Sequence, residues 1–375
     1  MISRFDDFMV HQTTDPVNQP QTSDRNYYDR YWFNGFSRRA DCTFEIGVGL
    51  YPNRQVMDAH FSVATGGRQH CFHASRRAPR DRSEIKVGPL RIVIIDPLRV
   101  VRVTVAPNDT GIECDLRFRA STTPTQEGKN VMYDDLRLIM NSTRFAQAGS
   151  WEGYFVVDGQ RHEVSPAEFP GLRDKSWGVR PVGEPEAGAP GLLTTDPAVY
   201  WVWAPVIFDG FCTQFHTFED REGNAMQLGA AIVPTYSAIE EIPEGVDPGH
   251  QEMASATHRI QWASRTRRPE KAELELVTRE GERHRITLEP MMRFQLLGIG
   301  YQHHEWGHGF WKGEEVVGSE SWELDELDPL DYRHIHVHHI CKARMGEHEG
   351  IGTLETLCFG PHAPSGFKEL LDGAP

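Results

Sequence analysis

Three histidine- and aspartate-bearing segments of this chain have the residue types and spacing to do chemistry. The first, His304-Glu305-Trp306-Gly307-His308, has the HExxH spacing that on a helix sets two imidazoles around zinc with the glutamate as base. Its context is wrong for a helix. Gly298, Gly300, Gly307, Gly309 and Gly313 lie in or beside it, and each glycine penalises a helix by about 1 kcal/mol. In an extended chain the two histidines would stand more than about 10 Å apart. The zinc reading falls, and an extended reading replaces it. His304, Trp306 and His308 would then share one strand face, and His303 and Glu305 the other, giving an imidazole–indole wall able to face a cavity.

The second segment runs Tyr332-Arg333-His334-Ile335-His336-Val337-His338-His339. Strict alternation puts His334, His336 and His338 on one face and Ile335 and Val337 on the opposite one. The plainest expectation is a solvated or hydrogen-bonded outer face of a barrel strand. Facing inward, the same histidines could serve as acid–base groups near neutral pH, or as metal ligands. No acidic or cysteine partner stands at ligand spacing nearby.

The third is Arg173-Asp174-Lys175-Ser176-Trp177-Gly178. Extended, it would place Asp174 and Ser176 on one face and Lys175 and Trp177 on the other. An aspartate held against indole and apolar walls would have a raised pKa and could act as an acid. The competing reading is an Asp–Arg salt bridge closing a barrel end. No nucleophile elbow, Walker loop or dinucleotide fingerprint is present: the glycine-rich stretch at 350–360 lacks both the lysine and the helix context.

Such residues need a frame, and the frame reads as β. Apolar residues fall in short runs or period-two alternation bounded by Gly, Pro, Asn or Asp, as in CTFEIGVGLYP and IECDLRFRAS. With 34 Gly and 24 Pro spread along the chain, helices are expected only at 133–147 and 367–372. At 375 residues the chain exceeds one ordinary core, so two units are expected. The boundaries are an N-terminal arm at 1–26, a first half at 27–180, a Pro/Gly-rich linker at 181–197 and a second half at 198–375.

The halves rhyme. Tyr31-Trp32-Phe33 opens the first and Tyr200-Trp201-Val202-Trp203 the second. Arg-Phe pairs (Arg144-Phe145, Arg293-Phe294) precede a Gly-aromatic pair (Gly153-Tyr154, Gly300-Tyr301) and then Trp177-Gly178 or Trp306-Gly307. The order points to a duplicated β-barrel unit.

A net charge of -15 opposes binding to nucleic acid. No apolar run is long enough to span a bilayer, and the N-terminus lacks a signal-peptide core, so a cytoplasmic protein is expected. Six scattered cysteines are expected to be reduced thiols.

RDKSWGVRP (173–181), YWVWAPV (200–206), GIGYQHHEWGHGFWKG (298–313) and GIGTLETLCFGPHAPSGF (350–367) resemble an uncharacterised bacterial family. That family is similar to the carotenoid 1,2-hydratase and tocopherol-cyclase-like proteins. The resemblance covers roughly residues 28–368. It implies a mainly β fold of two lipocalin-like antiparallel barrels packed together. It also implies chemistry on hydrophobic, often isoprenoid or polycyclic molecules, by hydration, dehydration or cyclisation without a redox cofactor. Asp174 and Trp177 stand at the family's first Asp-His-x-Trp-Gly motif, with Lys175 where histidine is expected. His303 stands where the second copy commonly has aspartate.

The resulting expectation is a cofactor-independent lyase or isomerase acting on an apolar isoprenoid, steroid-like or aromatic molecule. Asp174, His304 and His303 would be its acid–base groups. Trp177, Tyr200, Trp203, Tyr301, Trp306 and His308 would line the substrate site. No metal is called for, and a homodimer is compatible with the sequence. Two other readings stay open: a non-catalytic lipid or terpenoid carrier, and a metal enzyme using His334, His336 and His338. Ionisable groups buried beside the ligand would favour a lyase over a carrier.

Overall fold

Alternation of buried and exposed residues, seen plainly in the Leu90–Asp96 strand, marks a sheet with one face in a core and one in solvent. Elsewhere the alternation is lost: every residue of the Cys42–Tyr51 strand is buried. That strand has one face in a barrel and the other against a second sheet. The structure is a computed structural model that describes residues 4–185, 188 and 197–375.

Two antiparallel sheets form the molecule. The first runs, in spatial order, from Arg68–Arg77 through Val56–Thr65, Cys42–Tyr51, Tyr27–Phe36, Pro170–Val179, Arg137–Val157, Glu113–Ala120 and Val100–Val105 to Leu90–Asp96. It curls into a nearly closed barrel, since the short Lys86–Val87 strand lies back against Val56–Thr65 and Arg68–Arg77. Phe44, Phe61, Phe118, Trp151 and Phe155 fill it. The second runs from Ala225–Pro234 through Phe211–Glu219, Val199–Trp203, His348–Phe359, His336–Met345, Arg283–Gln295 and Pro269–Val277 to Ser255–Trp262. Its ends also meet, Ala225–Pro234 lying beside Ser255–Trp262, around Phe215, Leu274, Leu288 and Leu354. A third core lies between the sheets: Trp32, Ala146, Leu172, Trp203, Phe294, Leu296, Ile340 and Ile351. Burying a large apolar side chain is worth roughly 1.5–3 kcal/mol, so this seam binds the two barrels firmly.

The exchange between halves is not clean. Glu315–Glu323, from the second half, pairs with Arg68–Arg77 and extends the first sheet, and Ile242 joins the first core. Of the 181–197 linker, residues 186–187 and 189–196 lie outside the described residues.

The helix expected at 133–147 is instead a hairpin of Asn130–Asp134 and Arg137–Val157. Its turn uses Asp135 at φ 53°, a left-handed conformation that aspartate tolerates better than most residues. The helix expected at 367–372 is absent too: backbone N–H groups of Lys368 and Glu369 donate to the Asp372 carboxylate. That local side-chain bond competes with helical pairing. No helix among the described residues is long and apolar enough to cross a membrane. All six cysteines are unpaired and buried.

Candidate active site

Strand alternation builds the seam. Along Tyr27–Phe36, Tyr31 and Phe33 pack with the first barrel's core, while Arg30, Trp32 and Asn34 face the second sheet. Arg30 donates to Ile299 O at 3.2 Å and Asn34 to Thr353 Oγ1 at 2.9 Å. Gly47 makes room for Arg30, because a Cβ there would come within 2.2 Å of its Nη2. Asp174 stands opposite Trp32 on one neighbour and Ala146 on the other, so it shares their face and points into the seam. The second sheet contributes Trp201 and Trp203, and Trp203 meets Trp32 edge-to-face at 5.4 Å.

Buried charge concentrates here. His338 Nδ1 lies 2.7 Å from Glu45 Oε1 and its Nε2 3.2 Å from Glu355 Oε2. Burial alone would lower this imidazole, but the two carboxylates outweigh it and raise its pKa to about 10. His338 is therefore a cation at neutral pH. Glu355 is pushed up by burial, yet the hydrogen bonds from His336 and His338 win and hold it well below the usual carboxylate range. His336 is different. Its Nε2 lies 2.7 Å from Glu355 Oε1, and burial lowers its pKa, so the neutral ring donates its one N–H to Glu355. Its Nδ1 is buried with no hydrogen-bond partner among the described residues. A neutral imidazole oriented by a carboxylate and carrying a free lone pair is a general base in waiting.

Asp174 is perturbed in the complementary sense. Burial raises its carboxyl pKa to about 7, against the opposing pull of Arg144 and Arg30. Arg144 Nη1 is 3.9 Å from Asp174 Oδ2, and Arg144 is itself held by Glu127, which also accepts from Trp203 Nε1 at 2.9 Å. The competing expectation for Asp174, a salt bridge at a barrel end, is thus replaced by a loose pair inside the seam. Tyr301 closes the group. Its ring meets those of His336 and His308 edge-to-face at 4.6 and 4.4 Å, with the Arg30 guanidinium 5.2 Å from its centroid. Its phenol is raised by burial and is electrostatically coupled to both Asp174 and Glu355. Arg180 Nη2 donates to His308 Nδ1 at 3.0 Å, which leaves Nε2–H to donate to Ile299 O at 2.8 Å.

A second polar cluster lies beside it. His60 Nδ1 and His73 Nδ1 are 2.8 Å apart, and Glu320 Oε1 is 2.9 Å from His73 Nε2 and 2.5 Å from His303 Nε2. His73, His303 and Glu320 have the proximity of a two-histidine, one-carboxylate metal site. The proton arrangement does not fit one. His303 Nδ1 accepts the backbone N–H groups of Glu305 and Trp306 at 3.0 and 2.9 Å, so the ring's proton sits on Nε2 and donates to Glu320. A ligating histidine does the reverse, donating its outer N–H and offering the other nitrogen to the metal.

The remaining expected residues are dispersed. HEWGH lies in turns between Leu296–Ile299 and Glu315–Glu323, neither helix nor strand. Its side chains therefore do not alternate: His303 and His308 are buried, while the His304 side chain is 59% exposed. Trp306 stacks on His73 at 5.4 Å rather than joining Trp203. Trp177 is 39% exposed, on the face of Lys175, which pairs with Asp29. Tyr200 points the opposite way from Trp203, into the second barrel, with His258 Nε2 3.0 Å from its hydroxyl and His362 stacked at 3.7 Å. His334 precedes its strand, its Nδ1 3.0 Å from Asp328 O. His336 and His338 do share a face, but it is a buried seam and not an outer surface. Glu45, Glu127, Glu355, Arg30, Arg144 and Trp201 are the site members that sequence reasoning missed. Glu355 becomes identifiable only once the strand register sets it opposite His338.

Neither Trp177 nor Trp306 lines either of two clefts in the described residues: a cleft of about 330 Å³ at a barrel end, against His70, Asp158 and His162, and a cleft of about 110 Å³ near Phe218 and Met226.

Fold and site together define a two-barrel β protein with ionisable groups buried in the seam between its sheets. The chain belongs to a family described as "Family of unknown function (DUF8625)", whose profile matches residues 2–368. No curated protein matches it by sequence. Among solved structures it is similar to a protein assigned as AttH from Nitrosomonas europaea, at 13% identity and a TM-score of 0.54, covering 88% of this chain and 92% of that one. It also aligns with kievitone hydratase from Nectria haematococca, at 12% identity and 0.49, covering 88% of each chain. CghA with Sch210972 follows at 9% and 0.48, covering 89% of each. At these identities the likeness to the first concerns the fold alone.

Proposed function

We propose that this chain is a cofactor-independent lyase or isomerase of hydratase–dehydratase type, acting on an apolar small molecule in the seam between its barrels. One observation carries the reading: a carboxyl with a pKa of about 7 on Asp174 shares a buried site with a neutral His336 whose Nδ1 has no partner. In the dehydration direction Asp174 gives its proton to the leaving hydroxyl, which departs as water, and His336 Nδ1 removes a proton from the adjacent carbon as the double bond forms. The imidazolium so made is stabilised by ionised Glu355, and the cycle closes when it releases that proton to solvent and Asp174 takes one up. Trp32, Trp203 and Tyr301 offer π faces to cationic charge developing on carbon. Buried ionisable groups favour this reading over a carrier, which has no use for the cost of desolvating them.

The test begins with the protein exposed to cell extract and the co-purifying apolar molecule identified by mass spectrometry. On that compound, Asp174→Asn is expected to lower turnover by about a hundredfold or more with little change in affinity. Unchanged turnover in both Asp174→Asn and His336→Gln would remove the assignment.

A further inference from the structure

We propose that the cleft between the 129–132 segment and the Phe211–Glu219 and Ala225–Pro234 strands is the subsite that receives the apolar body of the substrate. This rests on the acid–base reading of the seam, because the cleft is the seam's outward continuation. Trp201, Phe218 and Gln227 stand opposite one another across three neighbouring strands, so they form one row on one face. The row starts at the catalytic end: the Arg144 guanidinium lies 4.8 Å from the Trp201 ring and 3.9 Å from Asp174. It ends in the cleft, where Phe218 and Gln227 form part of the lining. The opposite wall is anchored to the same site. Gly128 follows Glu127, which holds both Arg144 and Trp203, and its carbonyl accepts from Gln227 Nε2 at 2.6 Å.

The lining fixes the ligand class. Val131, Met132, Phe218 and Met226 surround about 110 Å³, of the same order as the roughly 150 Å³ engineered apolar cavity that takes up benzene. Val131 and Met226 are 50% and 55% exposed, and large apolar side chains gathered at one opening signal a binding surface more than scattered ones do. Lys129 also lines the cleft and forms no ion pair among the described residues. An aromatic or alicyclic ring bearing an anionic or strongly polar end therefore fits, the ring on Phe218 and Met226 and the polar end toward Lys129.

The probe is 1-anilinonaphthalene-8-sulfonate, an aromatic anion, titrated by fluorescence into the full-length protein. One equivalent should bind, and Met226→Glu or Val131→Asp should each weaken it by about tenfold or more, since a charge is placed against the ring. Both positions are exposed, so folding should be retained, and circular dichroism checks it. Because every native cysteine is buried, Met226→Cys introduces one accessible thiol, and saturating probe should slow its alkylation by about tenfold. Unchanged affinity in both charged variants, an unprotected thiol, or probe adsorbing at several equivalents regardless of substitution would each overturn the proposal. Asp174→Asn should bind the probe as the native protein does. A failure of the acid–base reading, seen in turnover, is thereby kept apart from a failure of the subsite, seen in probe binding.

Discussion

Asp174 Oδ2 stands 3.9 Å from Arg144 Nη1, close enough to feel the positive charge and too far for a hydrogen bond. The distance explains why burial wins over attraction and leaves the carboxyl at about 7. A tighter pair would hold it ionised and useless as an acid at neutral pH.

The first prediction concerns the pH profile of turnover. The proposed mechanism needs Asp174 protonated and His336 neutral. The carboxyl loses its proton above about 7, and the imidazole gains one only below its ordinary value of 6.5. The optimum should therefore lie on the acid side of neutrality, with the basic limb near pH 7. Moving Arg144 out, as Arg144→Met, should displace that limb upward. A limb that stays in place would detach Asp174 from it.

A second prediction uses stability alone. The folded carboxyl pKa of Asp174 is raised from 3.8 to about 7, so its contribution is fully present below pH 3.8 and lost as pH rises through about 7. Linkage caps the loss at about 4 kcal/mol. Asp174→Asn cannot ionise. It should melt higher than the native protein at pH 8 and with little difference near pH 4. Equal melting temperatures at pH 8 would mean the carboxyl is not desolvated.

How much of this was legible beforehand follows from which interactions are local. The β class, the aromatic repeats and the non-helical HEWGH segment followed from Gly, Pro and period-two patterns, all short-range signals. Asp174, Trp203 and Tyr301 were identified as residues, and the structure places all three at the seam. Their partners were not identified, because His338 meets Glu45 across 293 positions of chain and no local spacing encodes that. Tyr200 and Trp203 looked equivalent in YWVW, but alternation sends them to opposite faces. The turns that bury His303 and His308 and expose His304 are also hidden, since glycines beside a short polar segment exclude a helix without separating turns from an extended strand.

The third prediction is acid lability. Burial lowers the pKa of His60, His73, His216, His258, His308 and His336, and takes His339 to about 3. Below 6.5 the unfolded chain binds protons at these positions that the folded chain refuses. Stability must fall as pH drops, by up to about 1.4 kcal/mol per pH unit for each such group. Asp174 and Asp58, with carboxyls raised by burial to about 7 and about 6, and Glu45, raised by burial as well, act in the opposite sense but are fewer. The urea midpoint should decline steeply between pH 6.5 and 5, and a flat profile would contradict the neutral, buried state of these rings.

The last prediction separates His303 from its neighbour His304. His304 is largely exposed and its Nε2 lies 3.9 Å from the equally exposed Glu305, so His304→Gln should leave melting temperature and turnover within error of the native protein. His303 is buried, donates to Glu320 and accepts two backbone N–H groups through Nδ1. His303→Leu would orphan the two backbone N–H groups and leave Glu320 with His73 alone, and should cost about 2 kcal/mol or more. Because the Nδ1 lone pair is already committed to the backbone, Nε2 keeps its proton, and zinc would have to displace it to form an imidazolate. Calorimetric titration with zinc should therefore find no stoichiometric site at His73, His303 and Glu320. A 1:1 site that disappears in Glu320→Gln would show that the ring had turned over and that the metal reading of this cluster was the correct one.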